Sequence, residues 1–110
     1  FYILPILNPD GVARGHYRVD PNGINLNRYY INPSPKKHSP IYACKKIIMH
    51  LHHQNRFFAY LDLHAHAARK GTFIYGNYLN ELGLQIDTCL FPKILSMNSQ
   101  DFEYEGSNFT

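Results

Sequence analysis

The sequence predicts an α/β fold, with a largely buried sheet flanked by helices. Two dense apolar segments, residues 1–7 and 57–63, are typical of strands buried on both faces. Between them lies a segment whose apolar residues recur at helical spacing. The predicted order is strand, long loop, helix, strand, strand, helix, which favours a single mixed sheet with helices packed against it.

The first predicted strand, residues 1–7, is rich in aromatic and β-branched side chains, with Pro5 as its unusual member. The run Asn8-Pro-Asp-Gly11 predicts a turn that closes it. Further glycine and proline residues predict an irregular path for residues 8–26 and again for 32–37. Ordered loops of this length in a compact domain tend to carry function.

Helix signals follow the loop. Ser39 and Pro40 supply a cap and a first turn, which predicts a helix over about residues 40–54. Residues 57–63 then form the second strand, which delivers His64 at its carboxyl end. A short strand is predicted at 72–75, and a second helix at about 82–97, in which Pro92 forces a break or bend.

Composition narrows the functional classes. The chain has 110 residues, one domain's worth at most, and its net charge of +3 comes from scattered lysines and arginines, which gives weak support to nucleic-acid binding. No run approaches the ~20 apolar residues of a membrane span. Cys44 and Cys89 are 45 positions apart, which predicts unpaired thiols in a reducing compartment. The chain opens within an apolar run without Met, so we expect a fragment of a longer protein.

The run Asp62-Leu-His-Ala-His66 is the sharpest chemical feature. His64 and His66 follow a predicted buried strand, where open α/β sheets place ligands, and histidine is a common zinc ligand. Asp62 is suited to orient an imidazole or to close the turn. The alternative is that both are ordinary histidines hydrogen-bonded at a strand end, and the spacing alone leaves the two interpretations balanced.

The loop contains two further candidates. Asn27 beside Arg28 pairs an amide with a planar guanidinium, which suits a carboxylate ligand, and Arg18 is a second cation in the same loop. Taken singly, each arginine is more often a solvated surface residue. Three histidines near residue 50 resemble a metal cluster, but their helical spacing predicts a solvated face instead; they are His50, His52 and His53.

The motifs occur in a recognisable order. Asn8-Pro-Asp-Gly11 is followed by Arg18, then by Asn27-Arg28, then by Asp62-Leu-His64. This order resembles the zinc metallocarboxypeptidases, and the wording of the motifs is similar to the cytosolic carboxypeptidases that trim glutamates from tubulin. The resemblance runs from about Leu4 to the end, and the joint occurrence of the motifs is specific although each alone is weak.

The resemblance implies a role for each site residue. Arg18 matches the arginine that polarises the scissile carbonyl and stabilises the oxyanion. Asn27 and Arg28 match the pair that holds the substrate's C-terminal carboxylate. His64 matches one of three ligands of a catalytic Zn²⁺, and His66 matches a histidine that does not bind the metal. The implied substrates are peptide or protein C-terminal tails, glutamate-rich tubulin first among them. The implied location is the cytoplasm, with the cytoskeleton and nucleus as further locations.

Other parts of the expected active site are not found in the sequence. The resemblance places a His-x-x-Glu zinc motif before Phe1 and a general-base glutamate after Thr110, so residues 1–110 are expected to be the central part of one catalytic domain and inactive alone. Two alternatives stay open. One is a catalytically dead module that binds acidic tails through Arg18 and Arg28; the other is an amidohydrolase-type hydrolase that uses His64 and His66 as a metal-binding pair.

Overall fold

The computed structural model describes residues 1–109, which divide into two compact units, residues 1–62 and 63–109. Four helical segments occur in chain order: α1 (Pro9–Ala13), a 3₁₀ helix (Leu26–Arg28), α2 (Ser39–His53) and α3 (Leu82–Asn98). None of the described helices is long and apolar enough to cross a membrane.

Helix α2 organises the first unit. It lies within one residue of its predicted bounds, and the apolar stripe that predicted it supplies the core: Ile41, Cys44 and Leu51 are 2%, 1% and 8% exposed. The predicted cap was displaced by one residue, because His38 is the N-cap and Ser39 begins the helix. The three histidines near the end of α2 are exposed, as predicted; they are His50, His52 and His53.

Helix α1 begins where a turn was predicted. The Asn8 side chain accepts a hydrogen bond from the Gly11 backbone N–H at 3.1 Å, and Pro9 occupies the first helical position, where its missing N–H costs nothing. Gly15, with φ of 69°, ends the turn after the helix. Asn8-Pro-Asp-Gly11 is therefore a helix start, and the prediction of a simple turn was wrong.

The sheet is the part of the predicted fold that the structure does not show. Residues 1–7 and 57–63 form no strand among the described residues, and their large side chains lie open: Ile3, Phe58 and Leu63 are 82%, 101% and 93% exposed. A strand requires backbone partners along its edges, and the described chain supplies none to these segments. The two segments have the apolar composition of buried strands, but their large side chains are exposed.

The second unit contains α3 and a short parallel pairing. Helix α3 confirms the predicted segment to within one residue at its end. It continues through Pro92, so of the predicted break or bend the break was wrong. The predicted strand at 72–75 is reduced to two isolated parallel bridges, Thr72 with Phe102 and Tyr75 with Asn108. Phe102, a member of the first bridge, is the buried apolar residue of this pairing, at 7% exposed.

Candidate functional site

Arg18 lies in a loop that is fixed on both sides of it. Before it, the His16 backbone N–H donates to the Gly11 carbonyl at 2.9 Å. After it, the Val19 carbonyl accepts from Asn8 Nδ2 at 3.0 Å. Arg18 itself is exposed, and its guanidinium has no hydrogen-bond or ion-pair partner within residues 1–109. The sequence therefore holds the backbone in place and leaves the charged group available.

Asp20 is the centre of that loop. It is 7% exposed, and its carboxylate accepts from the backbone N–H groups of Ile24 at 2.8 Å and Asn22 at 2.9 Å. These donors, the Ile24 N–H foremost, lower the pKa of Asp20 despite the opposing effect of burial. The side chain thus makes an Asx-type turn that closes the chain after Arg18. The sequence identified Asp20 as one of the turn residues that make this loop irregular, but not as the group whose carboxylate closes the turn.

Asn27 and Arg28 stand side by side on the 3₁₀ helix. Leu26, the first residue of that helix, is 7% exposed and anchors it, whereas Asn27 and Arg28 are both exposed. The Arg28 backbone N–H donates to the Asn25 carbonyl at 3.1 Å, which closes the turn. An amide and a guanidinium are thereby presented from one rigid turn, an arrangement that suits a planar carboxylate.

A cluster of hydroxyl groups lies between the end of this turn and Asp62. Tyr30 Oη is 2.8 Å from Tyr60 Oη and donates to Asp62 Oδ2 at 3.2 Å. The thiol of Cys44 reaches Tyr60 Oη at 3.8 Å. Sequence reasoning singled out Asp62 but did not connect it to Tyr30, because the two positions are far apart in sequence and no local pattern links them.

His64 and His66 belong to the second unit and differ in environment. His64 is exposed, and it is engaged in a hydrogen-bonding, ring or electrostatic interaction. His66 Nδ1 accepts from the backbone N–H groups of Ala68 at 3.3 Å and Arg69 at 3.2 Å. The ring also packs edge-on against Phe73, with centroids 5.6 Å apart. In neutral imidazole an accepting Nδ1 places the proton on Nε2, so neither nitrogen of His66 offers a lone pair to a metal.

The described residues do not form a zinc site by themselves. No three histidine, cysteine or acidic side chains come together among residues 1–109 in a group suited to a metal ion. A catalytic zinc takes three protein ligands. The four predicted site residues also lie outside the described clefts. One cleft is about 300 Å³, and another, about 260 Å³, is lined by residues that include Asn8, Arg14 and Lys36.

Comparison with known proteins finds relatives that share one kind of name. Human cytosolic carboxypeptidase 6 is 36% identical over 111 residues, covering 99% of this chain and 22% of the relative. Mouse cytosolic carboxypeptidase-like protein 5 is 26% identical over 195 residues, covering 100% of this chain and 22% of the relative. Both of these relatives of the chain are cytosolic carboxypeptidases. The resemblance inferred from the motifs is confirmed at the level of this subfamily.

The match covers a much larger share of this chain than of the cytosolic carboxypeptidases to which it is similar. The match takes in the whole of this chain but spans about a fifth of the length of these relatives. The zebrafish carboxypeptidase-like protein 5 has the same relation, at 26% identity and 23% of the relative. No protein-family model matches the chain.

Proposed function

We propose that residues 1–110 are the central part of a single catalytic domain of a zinc-dependent metallocarboxypeptidase, which releases C-terminal amino acids from peptide or protein tails. The observation that carries the proposal is the similarity to cytosolic carboxypeptidases along the entire chain. The arrangement of Arg18 and of the Asn27–Arg28 pair, exposed on fixed turns, supports it.

The Asn27–Arg28 pair binds the substrate's terminal carboxylate in this proposal. Arg28 supplies a two-pronged, charge-assisted grip and Asn27 an additional neutral donor. The adjacent positions place the two groups on one turn, which the buried Leu26 anchors. An exopeptidase requires recognition of a free chain end, and in this proposal the Arg28 guanidinium provides that recognition.

Arg18 polarises the scissile carbonyl and stabilises the negative oxygen that develops on it. A single preorganised donor of this kind is worth ~3 to 4 kcal/mol of transition-state stabilisation. The contacts on either side of Arg18 supply the preorganisation, since His16 and Val19 are held at 2.9 Å and 3.0 Å by partners in and before α1.

His64 contributes one ligand to a catalytic Zn²⁺ whose other two ligands, a histidine and a glutamate, come from outside residues 1–110. Zinc in such sites activates a bound water and polarises the carbonyl. Because the described residues hold no complete zinc site, the 110 residues alone are expected to be inactive.

The exposed apolar segments support the placement of this chain inside a larger domain. Residues 1–7 and 57–63 have the composition of buried strands, yet Ile3 and Phe58 are 82% and 101% exposed. We propose that further strands of the catalytic domain cover them and complete the mixed sheet predicted from the sequence. Glutamate-rich tails, of tubulin above all, are the proposed substrates, and the cytoplasm is the proposed location.

The experiment uses the full-length protein with two peptides of equal sequence that end in glutamate, one with a free carboxylate and one with a carboxamide. The wild type is expected to release glutamate from the first peptide alone. Arg28→Ala should lower kcat/KM by roughly 100-fold, mainly through KM, and Arg18→Ala should lower kcat by roughly 100-fold or more. Arg56→Ala, an exposed arginine outside the loop, is the matched control. Equal release from both peptides would overturn the proposal.

A further inference from the structure

A directed chain of hydrogen bonds ends at Asp62. Tyr30 Oη donates to Asp62 Oδ2 at 3.2 Å, and a phenol has one proton to donate. In its 2.8 Å contact with Tyr60, Tyr30 is therefore the acceptor and Tyr60 the donor. Tyr60 in turn accepts from the Cys44 thiol at 3.8 Å. Each proton in the chain is used once, and all of them point toward the carboxylate.

The two phenols of this chain, Tyr30 and Tyr60, have raised pKa values. Desolvation is the main cause that raises the pKa of Tyr30, and desolvation together with the hydrogen bond to Tyr30 raises the pKa of Tyr60. Hydrogen bonds in a series polarise one another, and the last one here is made to an ionisable acceptor. The direction of the chain is thus a stable property of the unit.

The position of Tyr30 relates this chain to the carboxylate-binding pair. It lies two residues after Arg28, and Tyr29 is the C-cap of the 3₁₀ helix. Tyr29 stacks on the buried His38 ring, with centroids 3.8 Å apart. The turn that carries Asn27 and Arg28 is therefore followed by two tyrosines. Tyr29 stacks on His38, and the Tyr30 hydroxyl is hydrogen-bonded to Tyr60 and Asp62.

We propose that Tyr30 is a positioning residue for the Asn27–Arg28 pair. The hydrogen bond from its hydroxyl to Asp62 fixes the position of the turn that carries the pair. The inference rests on the proposed function of that pair. Asp62 lies two residues before His64 in sequence, so Tyr30 connects the carboxylate-binding turn to the segment that leads into the proposed zinc ligand.

The test is binding of the free-carboxylate and carboxamide peptides, by calorimetry, to the full-length protein in a His64→Ala background, in which we expect no cleavage during the titration. Tyr30→Phe removes a single hydroxyl and is expected to weaken binding of the free-carboxylate peptide roughly fivefold, while leaving the carboxamide peptide unchanged. Tyr29→Phe is the control, because the Tyr29 hydroxyl has no hydrogen-bond partner in the described part of the chain. Tyr60→Phe interrupts the chain one step earlier and should give a smaller loss.

Three results would decide the inference. Loss confined to the carboxylate peptide in Tyr30→Phe supports it. Equal loss for both peptides, or none, overturns it and makes Tyr30 a structural residue. If the protein that retains Arg28 and Tyr30 binds the two peptides alike, the proposed function itself fails and the inference fails with it.

Discussion

Asn8 Nδ2 donates to the Val19 carbonyl at 3.0 Å, while Asn8 Oδ1 caps α1 by accepting from the Gly11 N–H at 3.1 Å. One amide therefore joins the start of a helix to the backbone beside Arg18. The run Asn8-Pro-Asp-Gly11 is consequently a support for the loop that carries Arg18, and its two contacts are separable by mutation.

Asn8→Asp tests that separation. An aspartate keeps the acceptor for the Gly11 N–H but places an oxygen where Nδ2 faces the Val19 carbonyl, so we expect the helix to survive and the loop at 16–20 to loosen. Asn8→Ala removes both contacts and should cost about 1 kcal/mol of local stability at the cap. Hydrogen exchange of the two segments in the full-length protein measures both effects. Equal protection of residues 16–20 in wild type and Asn8→Asp would contradict the linkage.

Gly11→Ala should be destabilising for a specific reason. A Cβ at position 11 would lie 2.2 Å from Asn8 Nδ2, so we expect a cost of about 1 to 3 kcal/mol from displaced contacts. In an Asn8→Ala background the obstacle is gone, and alanine's higher helix propensity should make the same substitution neutral or stabilising. A double-mutant cycle measured by hydrogen exchange checks this, and additivity of the two changes would contradict it.

The loop should loosen in acid through Asp20. Its folded pKa is lowered, so its contribution to stability is complete above the ordinary value of about 3.9 and is lost as pH falls through the lower folded value. Asp20→Asn should remove that part of the pH dependence. Thermal unfolding between about pH 6 and pH 2.5 measures it, with Asp10→Asn, an exposed residue of α1, as control. Identical pH profiles for wild type and Asp20→Asn would contradict the assignment.

The core of α2 gives a matched pair of isoleucines. Ile41 is 2% exposed and Ile47 is 37% exposed on the same helix. Ile41→Ala should destabilise by about 2 to 5 kcal/mol through lost burial and a cavity, and Ile47→Ala by less than about 1 kcal/mol. Denaturant unfolding of the two variants measures the difference. Similar costs would mean that other parts of the protein bury Ile47.

The helices were predictable because their signals are local. The stripe through Ile41, Cys44 and Leu51 located α2 within one residue. Helix α1 was missed because Asn-Pro-Asp-Gly fits both a turn and a capped first turn. The tendency of Pro92 to break the helix was overestimated, since α3 continues through it. A helix tolerates a proline where neighbouring contacts compensate.

The strands were not recovered for a different reason. Residues 1–7 and 57–63 carry the composition of buried strands, but strand formation depends on a partner elsewhere in the chain. Arg18, Asn27 and Arg28 were predicted from motifs, and their roles remain predictions. The contact between Tyr30 and Asp62 could not be predicted, because it joins positions 32 residues apart with no pattern between them.

The most direct test of the central claim is the zinc content of the full-length protein, measured together with glutamate release, in wild type, His64→Ala and His66→Ala. We predict about one zinc and active release in wild type, loss of both in His64→Ala, and retention of zinc in His66→Ala, because a catalytic zinc takes three protein ligands and the His66 Nδ1 is occupied by the Ala68 and Arg69 N–H groups. Full zinc content in His64→Ala, or a wild type that binds acidic tails without zinc or release, would contradict the account.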